Sequence, residues 1–384
     1  LVKTTIKEVA GMAGVSPSSV SRSLRGVGGV STSTEERIRE AAEQLGYSVS
    51  PAAYRLATGR TGTLAIVMPY LTRWFFAELL GGVEQVVREA GLDLLLYHVG
   101  DSEMRQSYFS SGLLRKRVDG VLLVTLALTE PEVDALRGLD VPVCMVGSRV
   151  DGFSSIRIDD AGSASTAVQH LINLGHQRIA MISGDPNEPE HFTTELQRRA
   201  GYRAALKAAD IPIDPLLEAH GTFTIEGGDE ATVELLSRRS LPTAIYAECD
   251  EMAVGALRAL RRVGLRVPAD VSVVGFDDHP MAQYFDLTTI RQDVHDQGRQ
   301  IARHMVDAAV RPGEVTPVSL HAPTRLVMRA TTAVLATEPR AVPAHAGSGY
   351  AGDDNWLFDP TDAGQLVSPV YTKRKERHSS EAHN

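Results

Sequence analysis

From Leu64 onward, short apolar runs recur between stretches of helical periodicity, and this alternation restricts the fold more than any single motif. The runs are Leu64-Ala65-Ile66-Val67-Met68, Leu94-Leu95-Leu96-Tyr97, Val121-Leu122-Leu123-Val124, Val143-Cys144-Met145-Val146, Ile179-Ala180-Met181-Ile182, Ala244-Ile245-Tyr246-Ala247 and Val271-Ser272-Val273-Val274. A strand that is apolar at nearly every position has no solvated face, so it is expected to be covered on both sides. Between the runs, segments such as 78–90 and 252–262 carry the three-to-four-residue period of amphipathic helices. Repeated strand–helix units build doubly wound parallel sheets. More than about 250 residues of such units implies two lobes. The expected class is therefore α/β.

The first sixty residues differ from this body. They hold eight Lys/Arg against five Glu, a surplus of +3, although the chain of 384 residues is −9 overall. A basic head on an acidic body places contact with a polyanion on the head alone. Residues 5–45 predict three short helices. Thr5 and Glu8 form a capping box, and Ile6, Val9, Ala10 and Ala13 make one apolar stripe. Gly14 permits the left-handed turn that ends the first helix. Ser16 caps the second, with Pro17 at its first turn and Val20 and Leu24 as its seam. Ser31 opens the third, whose stripe is Ile38, Ala41, Ala42 and Leu45.

Two helices joined by a short glycine-containing turn are a helix-turn-helix unit. The other face of the second helix is Ser18, Ser19, Ser21, Arg22 and Arg25, with no acid. Small side chains allow close approach to a duplex, hydroxyls bond phosphates, and arginine reaches guanine O6 and N7 with two parallel bonds. The competing reading is a solvated polar face on an ordinary three-helix unit. After Tyr47, Ser50 and Pro51 are placed to start a helix of about two turns, which is marginal on its own.

In open α/β sheets, ligands bind beyond the carboxyl ends of the strands. Arg73, Trp74, Phe75 and Phe76 follow the first run, Phe192, Thr194 and Arg198 precede the helix expected around Gly201-Tyr202, and Phe223 follows Gly221-Thr222. Cys249-Asp250 and Phe276-Asp277-Asp278 end two further runs. Rings stack on the apolar face of a sugar, while arginine and carboxylate fork onto its hydroxyls. Each residue also has a structural reading, Phe75 or Phe76 as core and Asp250 or Asp278 as a helix cap.

Other classes find little support. Cys144 and Cys249 are the only cysteines, too few for a disulfide scaffold or a cysteine-framed metal site. No apolar run reaches the roughly 18 residues of a membrane span, and Leu1-Val2-Lys3-Thr4-Thr5 lacks an export-signal layout, so a cytoplasmic protein is expected. There is no Walker loop, no GxGxxG after a strand and no GxSxG. The acidic pairs Asp159-Asp160 and Asp277-Asp278 are adjacent, so on a strand they face opposite ways and serve better as caps and ligand acceptors than as an acid–base pair. His170 and His176 are expected to be structural. No enzyme activity, cofactor or metal is expected.

Order and spacing add a resemblance. Thr5-Ile6-Lys7-Glu8-Val9-Ala10, Ala13-Gly14-Val15-Ser16, Val20-Ser21-Arg22, Val30-Ser31, Arg37-Ile38, Leu45-Gly46-Tyr47 and Thr58-Gly59-Arg60-Thr61 resemble the DNA-binding head of the LacI/GalR family of bacterial transcription regulators. Through the body, His170-Leu171-Ile172 with Leu174-Gly175-His176, Arg198 with Gly201-Tyr202, Asp250-Glu251-Met252-Ala253, Val274-Gly275-Phe276-Asp277-Asp278, Leu287-Thr288-Thr289 and Leu326-Val327 with Arg329 look like family motifs. The resemblance implies a core like that of periplasmic sugar-binding proteins, with two lobes crossed three times by the chain. It implies a head at 1–46, a hinge at 47–61 and an effector and dimerisation core at 62–335; the composition of 336–384, rich in Ala, Pro, Gly, Ser, His and charge, reads as a disordered tail.

It further implies a repressor whose homodimer grips a pseudo-palindromic operator on double-stranded DNA. In that reading Arg22 reads a guanine, and Pro17 and Ser18 approach base edges. Ser16, Ser19, Arg25 and Tyr47 hold phosphates, Thr5, Ser21 and Ser50 lie on the DNA side, and Leu56 wedges into the minor groove from the hinge helix. By position, Phe75, Phe76, Thr194, Arg198, Phe223 and Asp277 match effector contacts, most simply to a sugar. Cys249 joins them, standing where sugar-binding members often carry Asn, and Phe192 stands where some carry a polar group. These two departures leave open a protein coregulator, such as a phosphocarrier protein, in place of the small molecule. Some members tetramerise through a leucine heptad; only Leu357 and Leu366 occur in the tail, so a dimer is expected.

Overall fold

Each helix of the head starts where the sequence supplies a cap. In the computed structural model, which describes residues 4–24, 29–47, 60–110, 112, 114–185, 193–239 and 241–336, α1 spans Ile6–Ala13. The Glu8 carboxylate accepts from the Thr5 backbone N–H at 2.6 Å and from its hydroxyl at 3.0 Å. Gly14, at φ 65°, ends the helix in the left-handed region that glycine enters without a steric cost. Ser16 caps α2 (Pro17–Ser23) by accepting the Ser19 N–H at 3.1 Å. α3 runs over Thr32–Gln44. Val9, Ala10, Ala13, Val20, Ile38, Ala41 and Ala42 meet in one buried cluster, with Leu24, Leu45 and Tyr47 packed against it. The predicted stripes are the faces that the helices bury.

The body is two six-stranded sheets. In chain order the first lobe holds β1 (Thr63–Met68), α4 (Trp74–Glu89), β2 (Asp93–His98), α5 (Ser102–Ser110), β3 (Gly120–Val124), α6 (Glu130–Arg137), β4 (Val143–Val146) and β5 (Ser154–Arg157). The chain then crosses to the second lobe. There it forms α7 (Asp160–Asn173), β6 (Ile179–Ser183), α8 (Thr193–Ala208), β7 (Glu218–His220), α9 (Ile225–Ser237), β8 (Ala244–Ala247), α10 (Asp250–Arg262), β9 (Ser272–Asp277) and β10 (Thr288–Gln292). It returns for α11 (Val294–Val310) and β11 (Ser319–His321), then crosses a third time into β12 (Thr324–Val327). The sheet orders are β11-β5-β4-β3-β1-β2 and β12-β10-β9-β8-β6-β7. All pairings are parallel except β10 with β12. α11 packs on α4 and under β3, β4 and β5, so a helix late in the chain completes the first lobe.

One expectation from the apolar runs is corrected. The run 94–97 forms β2, but β2 is the sheet's edge strand and leaves Leu95 and Leu96 exposed at 38% and 40%. Apolar continuity does not separate a central strand from an edge strand whose outer side has no neighbouring strand. The short polar strands β5, β7, β11 and β12 gave no such signal.

His170 and His176, expected to be structural, have direct partners. His176 contacts the Thr243 hydroxyl at 3.1 Å through Nδ1, and the Ser272 hydroxyl at 3.0 Å and the Ala333 carbonyl at 3.1 Å through Nε2. His170 Nε2 lies 3.0 Å from the Thr332 hydroxyl. Both rings pin the segment after β12 to the second lobe, and burial holds both below the usual histidine pKa. Where the chain enters the core, the Asp119 carboxylate accepts from the N–H groups of Thr61 and Gly62, each at 2.8 Å, and Arg60 donates to the Val310 carbonyl at the end of α11. The expected hinge helix, with Ser50 and Leu56, lies outside the described residues, as do Arg25 and Phe192. Among the described residues, no helix is long and apolar enough to cross a membrane.

Candidate functional site

The candidate DNA face lies on α2. Ser16, Pro17, Ser18 and Arg22 are exposed, and Ser19 and Ser21 are half-buried. The Ser16 hydroxyl, besides capping the helix, lies 2.8 Å from that of Ser18 and 2.9 Å from that of Ser19. Arg22 folds back on its own helix, its Nε donating to the Ser18 carbonyl at 3.4 Å. That long, exposed bond is readily given up for a stronger acceptor. Thr5 is exposed at the start of α1, its hydroxyl engaged with Glu8, and Tyr47 is half-buried against the head's core.

A second site is a cleft between the two lobes. Arg73, Phe75, Phe76 and Thr125 line it from the first lobe, and Thr194, Arg198, Phe223, Cys249, Glu251 and Asp277 from the second. All seven residues singled out as effector contacts are thus brought together. Most stand where a strand hands over to the next element: Phe75 and Phe76 open α4, Cys249 caps α10, and Asp277 ends β9. Thr194 and Arg198 lie within α8 rather than before it; the helix that carries Gly201-Tyr202 begins at Thr193, earlier than its apolar residues suggested.

Arg198 is the buried anchor of the cleft. Its Nε donates to Asp160 at 2.8 Å, Nη1 donates to the Glu248 carbonyl and lies 3.9 Å from Asp277, and the guanidinium sits 3.6 Å over the Phe276 ring. Asp277 also accepts from the Gln292 amide at 2.6 Å. Burial pushes the Asp277 carboxyl up to about 6, against the pull of Arg198 and Gln292. Burial likewise holds the Cys249 thiol well above its usual range, so Cys249 presents a neutral sulfur; this sulfur also accepts the Met252 N–H at 3.4 Å. Phe75 and Phe76 meet edge to face, with ring centroids 5.4 Å apart.

The backbone is strained around this cleft. Thr125 (φ 54°), Phe223 (φ 53°) and Asp277 (φ 115°) all have positive φ, a conformation uncommon outside glycine and costly for a β-branched residue. The Phe223 ring also presses on Gly184, where any Cβ would come within 2.2 Å of it.

Arg73, a strand-end candidate from the sequence, joins the lining, whereas Thr125 and Glu251 were not among the expected contacts. Thr125 directly follows the run 121–124, so the strand-end rule was the signal that would have found it. Its buried hydroxyl has no hydrogen-bond partner among the described residues. The other acids are committed elsewhere. Asp250 is not the cap of α10; it accepts from the Thr289 hydroxyl at 2.6 Å and the His279 N–H at 2.8 Å. Asp278 accepts from Arg329 at 2.6 Å, and Asp159 caps α7 by accepting the Gly162 N–H at 2.9 Å.

Comparison with known proteins covers both sites. Residues 5–50 match the family model for bacterial regulatory proteins of the lacI family, and residues 168–332 match a periplasmic binding protein-like domain. The HTH-type transcriptional regulator CelR of Thermobifida fusca is 36% identical over 339 residues, covering 85% of this chain and 98% of that protein. A solved CelR–cellobiose complex superposes with a TM-score of 0.64 at 33% identity, over 86% of this chain and all of that one. The lac repressor dimer bound to operator and the anti-inducer ONPF gives a TM-score of 0.75 at 27% identity, over 86% of this chain and 99% of that one.

Proposed function

Because the chain belongs to the lacI family of bacterial regulatory proteins, and so is an effector-controlled, DNA-binding transcriptional regulator and not an enzyme, we propose that its effector is a sugar bound in the inter-lobe cleft. One observation carries this reading: the seven residues that the family resemblance places at effector contacts, drawn from both lobes, converge on one strained cleft. Phe75, Phe76 and Phe223 supply rings for the apolar face of a sugar, while Asp277, Arg198 and Thr194 address its hydroxyls. The cellobiose held by CelR supports the same class. A concave lining suits a small molecule better than a protein coregulator.

At the head, Arg22 reads a guanine, Pro17 and Ser18 meet base edges, and Ser16, Ser19, Arg25 and Tyr47 hold phosphates, with Thr5, Ser21 and Ser50 beside them. The protein acts in the cytoplasm as a homodimer on a pseudo-palindrome, one recognition helix per half-site. The exposed Leu95 and Leu96 on the edge strand β2 support a partner surface on the first lobe. The head ends near residue 46, the hinge spans 47–61, the core spans 62–335, and 336–384 is a tail. Sugar changes how far the lobes close, which changes the spacing of the two hinges and whether the Leu56 wedges engage. Such control requires different sugar affinities in the two closure states, not binding alone.

Asp277→Ala tests the cleft. Operator binding should stay within about twofold of wild type, while sugar affinity falls at least about a hundredfold, the worth of a charge-assisted hydrogen bond pair. Normal sugar affinity by calorimetric titration would remove Asp277 from the site.

A further inference from the structure

We infer that the Glu251 carboxyl at the mouth of the cleft, facing the same space as Arg73 of the opposite lobe, biases the effector site toward uncharged sugars and against sugar phosphates and sugar acids. The inference rests on the reading of the cleft as the effector site. Burial divides the lining. Phe76, Arg198, Cys249 and Asp277 are buried, whereas Arg73 and Glu251 are half-exposed. The inner guanidinium is already met by Asp160 at 2.8 Å and Asp277 at 3.9 Å, so it offers no anion site.

Arg73 is the second cation of the cleft, its guanidinium 3.5 Å over the Tyr70 ring. Together with the first turn of α10, the positive end of that helix, it would attract a phosphate. Glu251 occupies that turn and faces the same space. Burial, with Asp277 and Glu226, pushes its carboxyl up to about 7 while Arg73 draws it back, so it is half ionised at neutral pH and largely ionised a unit above. A phosphate or carboxylate entering here meets Glu251 and Asp277 in a poorly solvated cleft, where like charges are weakly screened. A sugar hydroxyl donates to Glu251 and accepts from Arg73 without that conflict.

The test needs no knowledge of the effector. Trp74 and Trp356 are the two tryptophans, so Trp356→Phe in the full-length chain leaves Trp74 as the reporter. Trp74 packs on His279 of the second lobe with ring centroids 4.9 Å apart, so its emission senses the cleft. In this background inorganic phosphate should give no saturable change. At pH 8, a unit above the Glu251 carboxyl, Glu251→Gln, and independently Glu251→Ala, should bind phosphate about tenfold more tightly, a gain that shrinks toward twofold at pH 7, and adding Arg73→Met should abolish it. Thermal denaturation establishes that each variant is folded. Equal phosphate binding with and without Glu251, or a gain that survives loss of Arg73, overturns the inference. A phosphate gain with no response to any sugar leaves the charge exclusion standing and counts against the effector reading.

Discussion

Arg198→Ala is expected to lower the unfolding free energy by about 3–5 kcal/mol, the cost of stripping one partner from a buried ion pair, and to abolish the response to every sugar. The side chain is fully enclosed, so solvent does not soften the loss. Removing it leaves the Asp160 carboxylate and the Glu248 carbonyl without their donor, and Asp277 without its cation. It also uncovers the face of Phe276 on which the guanidinium rests. The loss should depend on pH. Asp277 already ionises late, near 6 against an ordinary 3.8, and Arg198 is the strongest force pulling it down. In the variant its pKa rises further. A carboxyl raised in the folded state contributes full stability below its unfolded pKa and loses it as pH climbs through the folded one. The deficit of the variant against wild type should therefore be smaller near pH 4 than at pH 7, as read by denaturant unfolding at each pH. A deficit that is flat across that range would place the energetic role of Arg198 in packing alone.

Arg22→Ala should cost about 1–3 kcal/mol of operator affinity and relax discrimination at one symmetric base position. The arginine is exposed on α2, and its Nε bond to the Ser18 carbonyl is long, at 3.4 Å, so little is lost when it turns to a base. Bidentate contact with guanine gives discrimination, whereas a phosphate contact gives affinity without it. Competition with duplexes substituted at each position separates the two. Equal weakening on all sequences would assign Arg22 to the phosphate backbone.

Much of the fold was legible because its strongest signals are local. The runs at 64–68, 121–124 and 179–182 are central strands with no polar face, and Thr5, Gly14, Ser16 and Pro17 mark the helix ends of the head. Strand β2 was misjudged because Leu95 and Leu96 report apolarity, not position in a sheet. Strands β5, β7 and β11 escaped notice because three or four residues of mixed polarity carry no period.

The cleft was legible at residues with distinctive chemistry near strand ends, such as Phe76 and Asp277, and, through the family resemblance, at Arg198 inside α8. Thr125 is an ordinary residue made unusual by a backbone angle that no sequence pattern announces. Glu251 has the look of a routine acid in the first turn of a helix, and only the facing lobe brings Arg73 within its influence. Pairing across a cleft is a tertiary fact, and it is the part of specificity that linear spacing hides.

In the proposed function the basic head grips a particular duplex and a sugar in the cleft decides when. That function is tested most directly by selecting duplexes from a random library with the full-length chain, then titrating the selected sequence at physiological salt with and without a panel of sugars. The expected result is a pseudo-palindrome bound at least about 10³-fold more tightly than bulk DNA, with at least one uncharged sugar shifting that affinity. Binding that shows no preference for any palindrome over bulk DNA, whatever sugar is present, would contradict it.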